Sequence, residues 1–454
     1  PTPGRYRNIS SVDATSLYPS EIITNNISPE TYVGNVGTTI DDFLNKTDGA
    51  IYGDSEYVVT PAGARYSKAK RGILPRLMIE YMADRRATKN EMLRLEQIYE
   101  QTKEEALQNK IAALDAHQNA IKVLMNSLYG ATANEHFRFY KHDHAASITL
   151  SGQYMLRTIE TKLDALLDSK FGLTGGKYVV YIDTDSCYLN LDEVVKKFKI
   201  PRDKAREALE KMTKEIVSPL INTLCQECCD LMGSYENKIS FKLEVAAPEG
   251  AIWVGKKKYA LKVESSEGVV FDKPKYKVKG LEMVRSSTPK FIRDHLKDSL
   301  PLVFDGTEKQ VQEFIEKTRQ EFYSLPYNQV AFPRSANNLV EYSDPRIYKK
   351  GTPIAVRGAL LYNHHLKRLG LTGKYRLISE GMKVLFAYLK TPNILHENII
   401  TFPVDGEIPS EFNIIDKIDY ETQYQKTMID AMQIILTAIG WNAIETSSLD
   451  DFFG

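Results

Sequence analysis

The sequence predicts an α+β chain in which a long helical insertion divides a region of mixed strands and helices. Three observations point there. Residues 177–191 set strand formers on either side of an acidic turn, Asp183-Thr184-Asp185. Residues 73–130 hold no Gly or Pro between Pro75 and Gly130, and set Met78, Met82, Leu93, Leu95 and Ile98 among many charged residues. Beyond about residue 280, helical patterns dominate over residues 289–303, 307–323, 362–369 and 421–440. Polar loops with Pro326, Pro333, Pro345 and Pro353 separate them.

The remaining elements follow in order. Residues 1–71 read as short strands and turns, punctuated by Gly34, Gly37, Gly49, Gly53, Pro61 and Gly63. Residues 8–12 form a strand-like run that delivers Asp13 at its end, and the residues after it can turn their backbone N–H groups toward an anion. The insertion reads as two antiparallel helices joined near residues 104–115. Residues 137–140 read as a strand, 145–167 as a helix, 201–232 as helical, and 241–245 and 259–263 as strands.

The 454 residues suffice for two or three domains. A hydrophobic content of 43% with 26% charged residues fits a soluble globular protein. Lys and Arg number 59, as do Asp and Glu, so the chain lacks the net charge of an indiscriminate polyanion binder. Local basic surface around an acidic centre remains compatible with that balance. No apolar run approaches the ~18–20 residues of a membrane span, and no signal peptide is visible. Cys187, Cys225, Cys228 and Cys229 lack the second spaced pair of a zinc site and read as reduced, packed thiols. His142, His144, His364 and His365 read as surface polar residues.

Chemistry concentrates at four places. The hairpin tip presents Asp183 and Asp185, which suit a hard cation such as Mg²⁺ that takes one or two carboxylates plus substrate phosphates. The plain alternative is a solvated acidic turn. Asp13 joins that tip only if its strand pairs with the hairpin. The union would suit two metal ions acting on an in-line phosphoryl transfer. On the helical insertion Arg85 and Lys89 lie four apart, and Lys122, Asn126 and Tyr129 share one face. Cations so arranged suit a triphosphate, although helix charges are more often a solvated face. Lys256-Lys257-Lys258 heads a strand, where a lone Lys triplet is ordinarily surface charge.

The ordered series Asp13-x-x-Ser16-Leu17-Tyr18-Pro19-Ser20, Lys122-x-x-x-Asn126-Ser127-x-Tyr129-Gly130 and Tyr181-x-Asp183-Thr184-Asp185-Ser186 resembles the family B DNA polymerases. Three further stretches are most similar to the replicative polymerases of T-even-type bacteriophages. They are Asn26-Ile27-Ser28-Pro29-Glu30-Thr31, Trp253-Val254-Gly255-Lys256-Lys257-Lys258-Tyr259, and Gly280-Leu281-Glu282 leading to Ser286-Ser287-Thr288-Pro289-Lys290. The resemblance covers nearly the whole chain.

It implies a right-hand polymerase: a palm with an antiparallel sheet, a helical fingers hairpin and a mostly helical thumb. The expected bounds are palm 1–71 and 135–280, fingers 72–134, thumb 281–446 and a clamp-binding tail 447–454. It implies Asp13 and Asp185 as ligands of two Mg²⁺ ions, with Mn²⁺ able to substitute. The Ala14 carbonyl and Asp183 support them; Glu244, read from its own strand at 241–245, is a candidate further carboxylate behind them. The backbone of Ser16, Leu17 and Tyr18 would cradle the nucleotide phosphates, with Arg85, Lys89, Lys122 and Asn126 gripping them. Lys122 would also protonate the leaving pyrophosphate. Tyr18 becomes the steric gate, against a plain reading as a core tyrosine, and Tyr129 and Gly130 meet the nascent base pair. Lys256, Lys257, Lys258, Tyr259 and Thr184 are implied DNA contacts, with Lys349, Lys350 and Arg357 as thumb candidates.

In the tail, Leu449, Phe452 and Phe453 are apolar anchors suited to a sliding clamp, or to packing on the thumb. The expected partners are primer–template DNA, dNTPs, the clamp and a separate polypeptide carrying the N-terminal and exonuclease regions, because the chain begins at Pro1 and shows none of that exonuclease's acidic motifs. No membrane is expected, and the implied setting is the host-cell cytoplasm of a phage infection. Two departures stand out: Ile182 replaces a usual Gly, and Lys258 a usual Arg, which weakens a bidentate contact. The competing readings are a clamp-tethered subunit that is inactive alone and a reverse transcriptase.

Overall fold

The computed structural model describes residues 2–445 and divides into two compact units. The anchors Leu449, Phe452 and Phe453 lie outside the described residues.

The first unit spans residues 6–251 and 261–277. Its centre is an antiparallel sheet in which strand Ile9–Ala14 lies between Ser186–Asn190 and Phe241–Ala247, with Val179–Asp183 beyond Ser186–Asn190. Ser265 and Ser266 extend the sheet by pairing with Ala246 and Val245. Strand alternation assigns the faces. Val12, Ala14, Cys187 and Leu189 are buried against helices His142–Phe171 and Ser218–Met232, through Met155, Ile159, Leu163, Ile221, Cys225 and Cys228. Asp13 and Ser186 therefore project from the opposite face. Ile182, in register with Cys187, packs on the same core and not beside the acidic residues. All four cysteines are buried and free, as expected.

Helix Leu17–Thr24 follows the first strand, within a region expected to hold only strands and turns. It is buried almost throughout. Leu17 joins the sheet core, while Ile22 and Ile23 join a second core with Leu74, Met78 and Met125. Even Glu21 is fully buried. The Asn25 amide donates to it at 2.8 Å, yet burial still pushes its carboxyl up to about 8, so it stays protonated at neutral pH.

Helices Ile73–Thr102 and Ala106–Thr132 form the antiparallel pair. The junction is shorter than expected: only Lys103, Glu104 and Glu105 separate the helices, with Lys103 at φ +55°. Residues 106–115 are helical because they are rich in Ala and free of Gly and Pro. The expected strand at 137–140 is instead a run of turns, closed by Phe137 N–H to Asn134 O at 2.9 Å and Tyr140 N–H to Phe137 O at 2.9 Å. The aromatic side chains there satisfy one another locally, with the Phe137 and Phe139 rings 5.7 Å apart.

The second unit comprises residues 2–5, 252–260 and 278–445. Helices Lys290–Asp298, Leu300–Asp305, Glu308–Tyr323, Ile354–Arg368 and Asp430–Thr437 confirm the helical character of this region. Thr307 caps Glu308–Tyr323 in a reciprocal box with Gln310. A three-stranded antiparallel sheet, Phe332–Ala336, Met382–Tyr388 and Ile399–Pro403, was not expected. Ile399–Pro403 is buried at every position, so it shows no polar alternation to mark it as a strand.

Two histidines correct the surface reading. His144 is buried, its Nδ1 3.0 Å from the Tyr66 hydroxyl. His365 is buried on the inner face of its helix, and burial drives its pKa down to about 4. Helix periodicity turns both rings inward.

Gly53 meets the end of helix Ser218–Met232 so closely that a Cβ would lie 1.8 Å from the Met232 carbonyl oxygen. Gly53→Ala should therefore destabilise the protein by about 2 kcal/mol or more. Gly373, which faces open space, should accept Ala within ~0.5 kcal/mol. Equal midpoints for the two variants in denaturant unfolding would contradict this.

Candidate active site

Three segments distant in sequence supply the acidic centre. Strand Ile9–Ala14 pairs with Ser186–Asn190 so that Asp13 faces Ser186. The hairpin turns at Thr184 and Asp185, with Thr184 at φ +61°. The Ala14 N–H donates to the Asp185 carbonyl at 2.8 Å, which locks the hairpin tip to the end of the first strand. On the other side Asp13 pairs in register with Lys242, and Glu244 follows two residues on.

Asp13 and Asp185 line one cavity of about 1110 Å³ together with Ala14, Ser16, Arg85, Lys89, Lys122 and Glu244. Leu17, Tyr18, Asn126, Tyr129, Gly130, Asp183 and Thr184 do not line it. Tyr18 and Tyr129 instead meet ring to ring, with centroids 4.6 Å apart, and a Cβ at Gly130 would face open space. Lys256, Lys257, Lys258 and Tyr259 belong to the second unit. There Lys257 adopts φ +59° at a turn, and Tyr259 is buried against Trp253 at 5.1 Å.

The electrostatics of the two carboxylates are dominated by burial. Asp13 is pushed up to about 7 by burial, then by Asp185 and Glu244, against the opposing pull of Lys277 and a hydrogen bond from Ser186. Burial likewise raises Asp185, with Lys122 pulling the other way and Glu244 and Asp183 adding to the rise. For both carboxyls, burial and neighbouring like charge outweigh the pull of Lys277 and Lys122. That donor set fits a hard divalent cation. Among the described residues no group of three or more His, Cys, Asp and Glu side chains converges as a protein-only metal cage would. Mg²⁺ does not require one, because waters and substrate phosphates complete its shell.

Three cations around the site are engaged by partners that spacing alone did not single out. Arg85 donates from Nε to the Gln118 amide oxygen at 3.1 Å and from its terminal nitrogen to the Ser16 hydroxyl at 3.0 Å. Asp115 orients Gln118 in turn, at 2.9 Å. Lys89 pairs with Glu267 and Lys277 with Glu244. Gln118 stands four residues before Lys122, on the face already marked by Asn126 and Tyr129, so the same spacing could have found it. Glu267 and Lys277 have no such signal, since only the fold brings them near. Helix Ile73–Thr102 is tied further to strand Val269–Lys279 by Gln97 accepting from Val270 N–H at 2.9 Å and by Glu100 with Lys275 at 2.7 Å.

The profile of DNA polymerase family B matches residues 1–335. The DNA-directed DNA polymerase of Enterobacteria phage T4 is 30% identical over the whole of this chain, as is that of Escherichia phage RB69, and in each case the match takes in 56% of the relative. The DNA polymerase of Desulfurococcus sp. (strain Tok) is 26% identical over 97% of this chain and 46% of its own length. The chain therefore spans about half the length of these relatives. Among the described residues no helix is long and apolar enough to cross a membrane.

The raised Asp13 pKa has a definite consequence for stability. A carboxyl that titrates near 4 when unfolded and near 7 when folded adds stability below pH 4 that is lost as pH rises through 7. Asp13→Asn should raise the first melting transition of the metal-free protein by several degrees at pH 8, and change it little at pH 4. An equal shift at both pH values would contradict the assignment.

Proposed function

This chain belongs to DNA polymerase family B, and from that premise we propose that it carries template-directed DNA synthesis, transferring a nucleotide from a dNTP to a primer 3′-hydroxyl. The observation that carries the reading is one cavity containing two desolvated, mutually repelling carboxylates and a bank of cations on a helix pair.

Asp13 and Asp185, with the Ala14 carbonyl and Asp183 beside them, would hold Mg²⁺ or Mn²⁺. Bound there, the cations would lower the pKa of the primer hydroxyl and neutralise the triphosphate. Arg85, Lys89 and Lys122 bind the phosphates, with Asn126 on the same helix face, and Lys122 donates a proton to the departing pyrophosphate. The first N–H groups of helix Leu17–Thr24, which have no intrahelical acceptors, add neutral donors from Ser16, Leu17 and Tyr18. Tyr18, braced by Tyr129, lies beneath the sugar and excludes a 2′-hydroxyl, while Gly130 leaves room for the new base pair. Lys89 leaves Glu267 to reach the phosphates, so nucleotide binding draws the helix pair inward.

In this reading residues 1–71 and 135–280 are palm, 72–134 fingers and 281–446 thumb. Lys256, Lys257, Lys258, Tyr259 and Thr184 contact primer–template DNA, and Leu449, Phe452 and Phe453 tether a sliding clamp. The alternative of a subunit dependent on a separate exonuclease polypeptide gains no support from relatives that are themselves named DNA polymerases.

Primer extension on a DNA template with Mg²⁺ tests the proposal. Asp185→Asn should lower the rate by several orders of magnitude. Arg85→Ala should raise the dNTP KM by roughly 10–100-fold, the equivalent of one or two charge-assisted hydrogen bonds. No extension by the unsubstituted chain, or equal extension by Asp185→Asn, would overturn it.

A further inference from the structure

The cations around the cavity form two groups. One stands on the helix pair and is accounted for by a triphosphate. The other stands on the sheet and the helix behind it: Lys242 on strand Phe241–Ala247, Lys238 just before that strand, and Lys214 in the segment leading to helix Ser218–Met232. We propose that this second group, with Ser218, is a phosphate subsite for the primer strand, gripping the phosphodiesters next to its 3′ end. The inference rests on the polymerase reading above and adds a ligand contact that the triphosphate does not use.

Four observations carry it. Lys242 is the cross-strand neighbour of Asp13 and exposed, and its side chain has neither an ion pair nor a hydrogen bond among the described residues. The Lys214 and Lys238 side chains are exposed, and their carboxylate partners are partly buried and shared with a second cation: Glu210, 3.7 Å from Lys214, also holds Arg206 at 3.0 Å, and Glu236, 3.0 Å from Lys238, also pairs with Arg71. Neither carboxylate depends on the lysine alone, so both ammonium groups can turn to an anion. Ser218 lines the same cavity, is 7% exposed, and its hydroxyl has no hydrogen-bond partner. A buried orphan hydroxyl is costly and calls for a ligand or water. It follows a π-helical turn, Thr213–Val217, a distortion common at functional sites.

The subsite is also rigidly placed. The Asn222 side chain accepts from Phe241 N–H at 2.8 Å, which fixes the start of the Lys242 strand to the Ser218 helix. The Ser240 carbonyl accepts from Thr15 N–H at 2.9 Å, tying the same segment to the end of the Asp13 strand. A nucleic-acid strand carries a charge about every 3.4 Å along its axis. A strand whose 3′ end lies at Asp13 therefore brings its last phosphates within the reach of a lysine on the neighbouring strand. Primer, not template, is the strand committed to Asp13.

The test is equilibrium binding of a fluorescent primer–template to the full chain, without dNTP, across a salt series. The triple variant Lys214→Ala/Lys238→Ala/Lys242→Ala should bind at least 10-fold more weakly, with a salt slope shallower by about 2–3, as expected for three lost phosphate contacts. Its dNTP KM should stay within about twofold. Ser218→Ala should weaken binding by roughly threefold, the loss of one hydrogen bond. Uncharged methylphosphonates at the last three primer linkages should weaken binding to the unsubstituted chain but not to the triple variant. If the triple variant does not fold, Lys242→Gln alone must reduce the slope by about 1. Equal binding and slope in all variants, a raised dNTP KM in place of weaker DNA binding, or sensitivity only to template linkages overturns the subsite and leaves the polymerase reading standing. No DNA binding by the unsubstituted chain overturns both.

Discussion

The site depends on the clamp between Ala14 N–H and the Asp185 carbonyl, and on the strand pairing on either side of it. Without it, Asp13 and Asp185 are carboxylates 172 residues apart that repel each other. The clamp holds because Val12, Ala14, Cys187 and Leu189 are sealed into the core on the reverse face of the same strands. Burial of Val12 and Leu189 there contributes about 1.5–3 kcal/mol each, which works against the repulsion between the carboxylates. A register slip of one residue would exchange the two faces and put the acids in the core.

How the protein treats its own cations follows from that constraint. Neutralising Asp13 and Asp185 internally would have been the cheapest way to bury them. Instead Arg85 is engaged by Gln118 and Ser16, Lys89 by Glu267 and Lys277 by Glu244. The cavity keeps two carboxyls raised by burial at its centre, with Arg85, Lys89 and Lys122 around them. Helix Leu17–Thr24 couples these parts, because Tyr18 packs against both the sheet core and the core under the helix pair. Tyr18 also meets Tyr129 of the helix pair ring to ring, with centroids 4.6 Å apart.

Local patterns in the chain were enough to determine the acidic hairpin, the helix pair with its Arg85, Lys89 and Lys122, and the packed cysteines, while the family came from the resemblance of its ordered motifs. Alternation, turn chemistry and i,i+4 spacing are short-range properties, and they survive without knowledge of the fold. The same reasoning failed where local signals mislead or vanish. An aromatic run at 137–140 became turns, the buried strand Ile399–Pro403 carried no alternation, and His144 and His365 turned inward with their helices. Tertiary structure alone decided that Glu267 restrains Lys89, that Lys277 balances Glu244, and that Lys242 and the orphan hydroxyl of Ser218 share the cavity of Asp13. Those partners lie tens to hundreds of residues from what they touch, and Coulomb interactions depend on distance in space, not on separation along the chain.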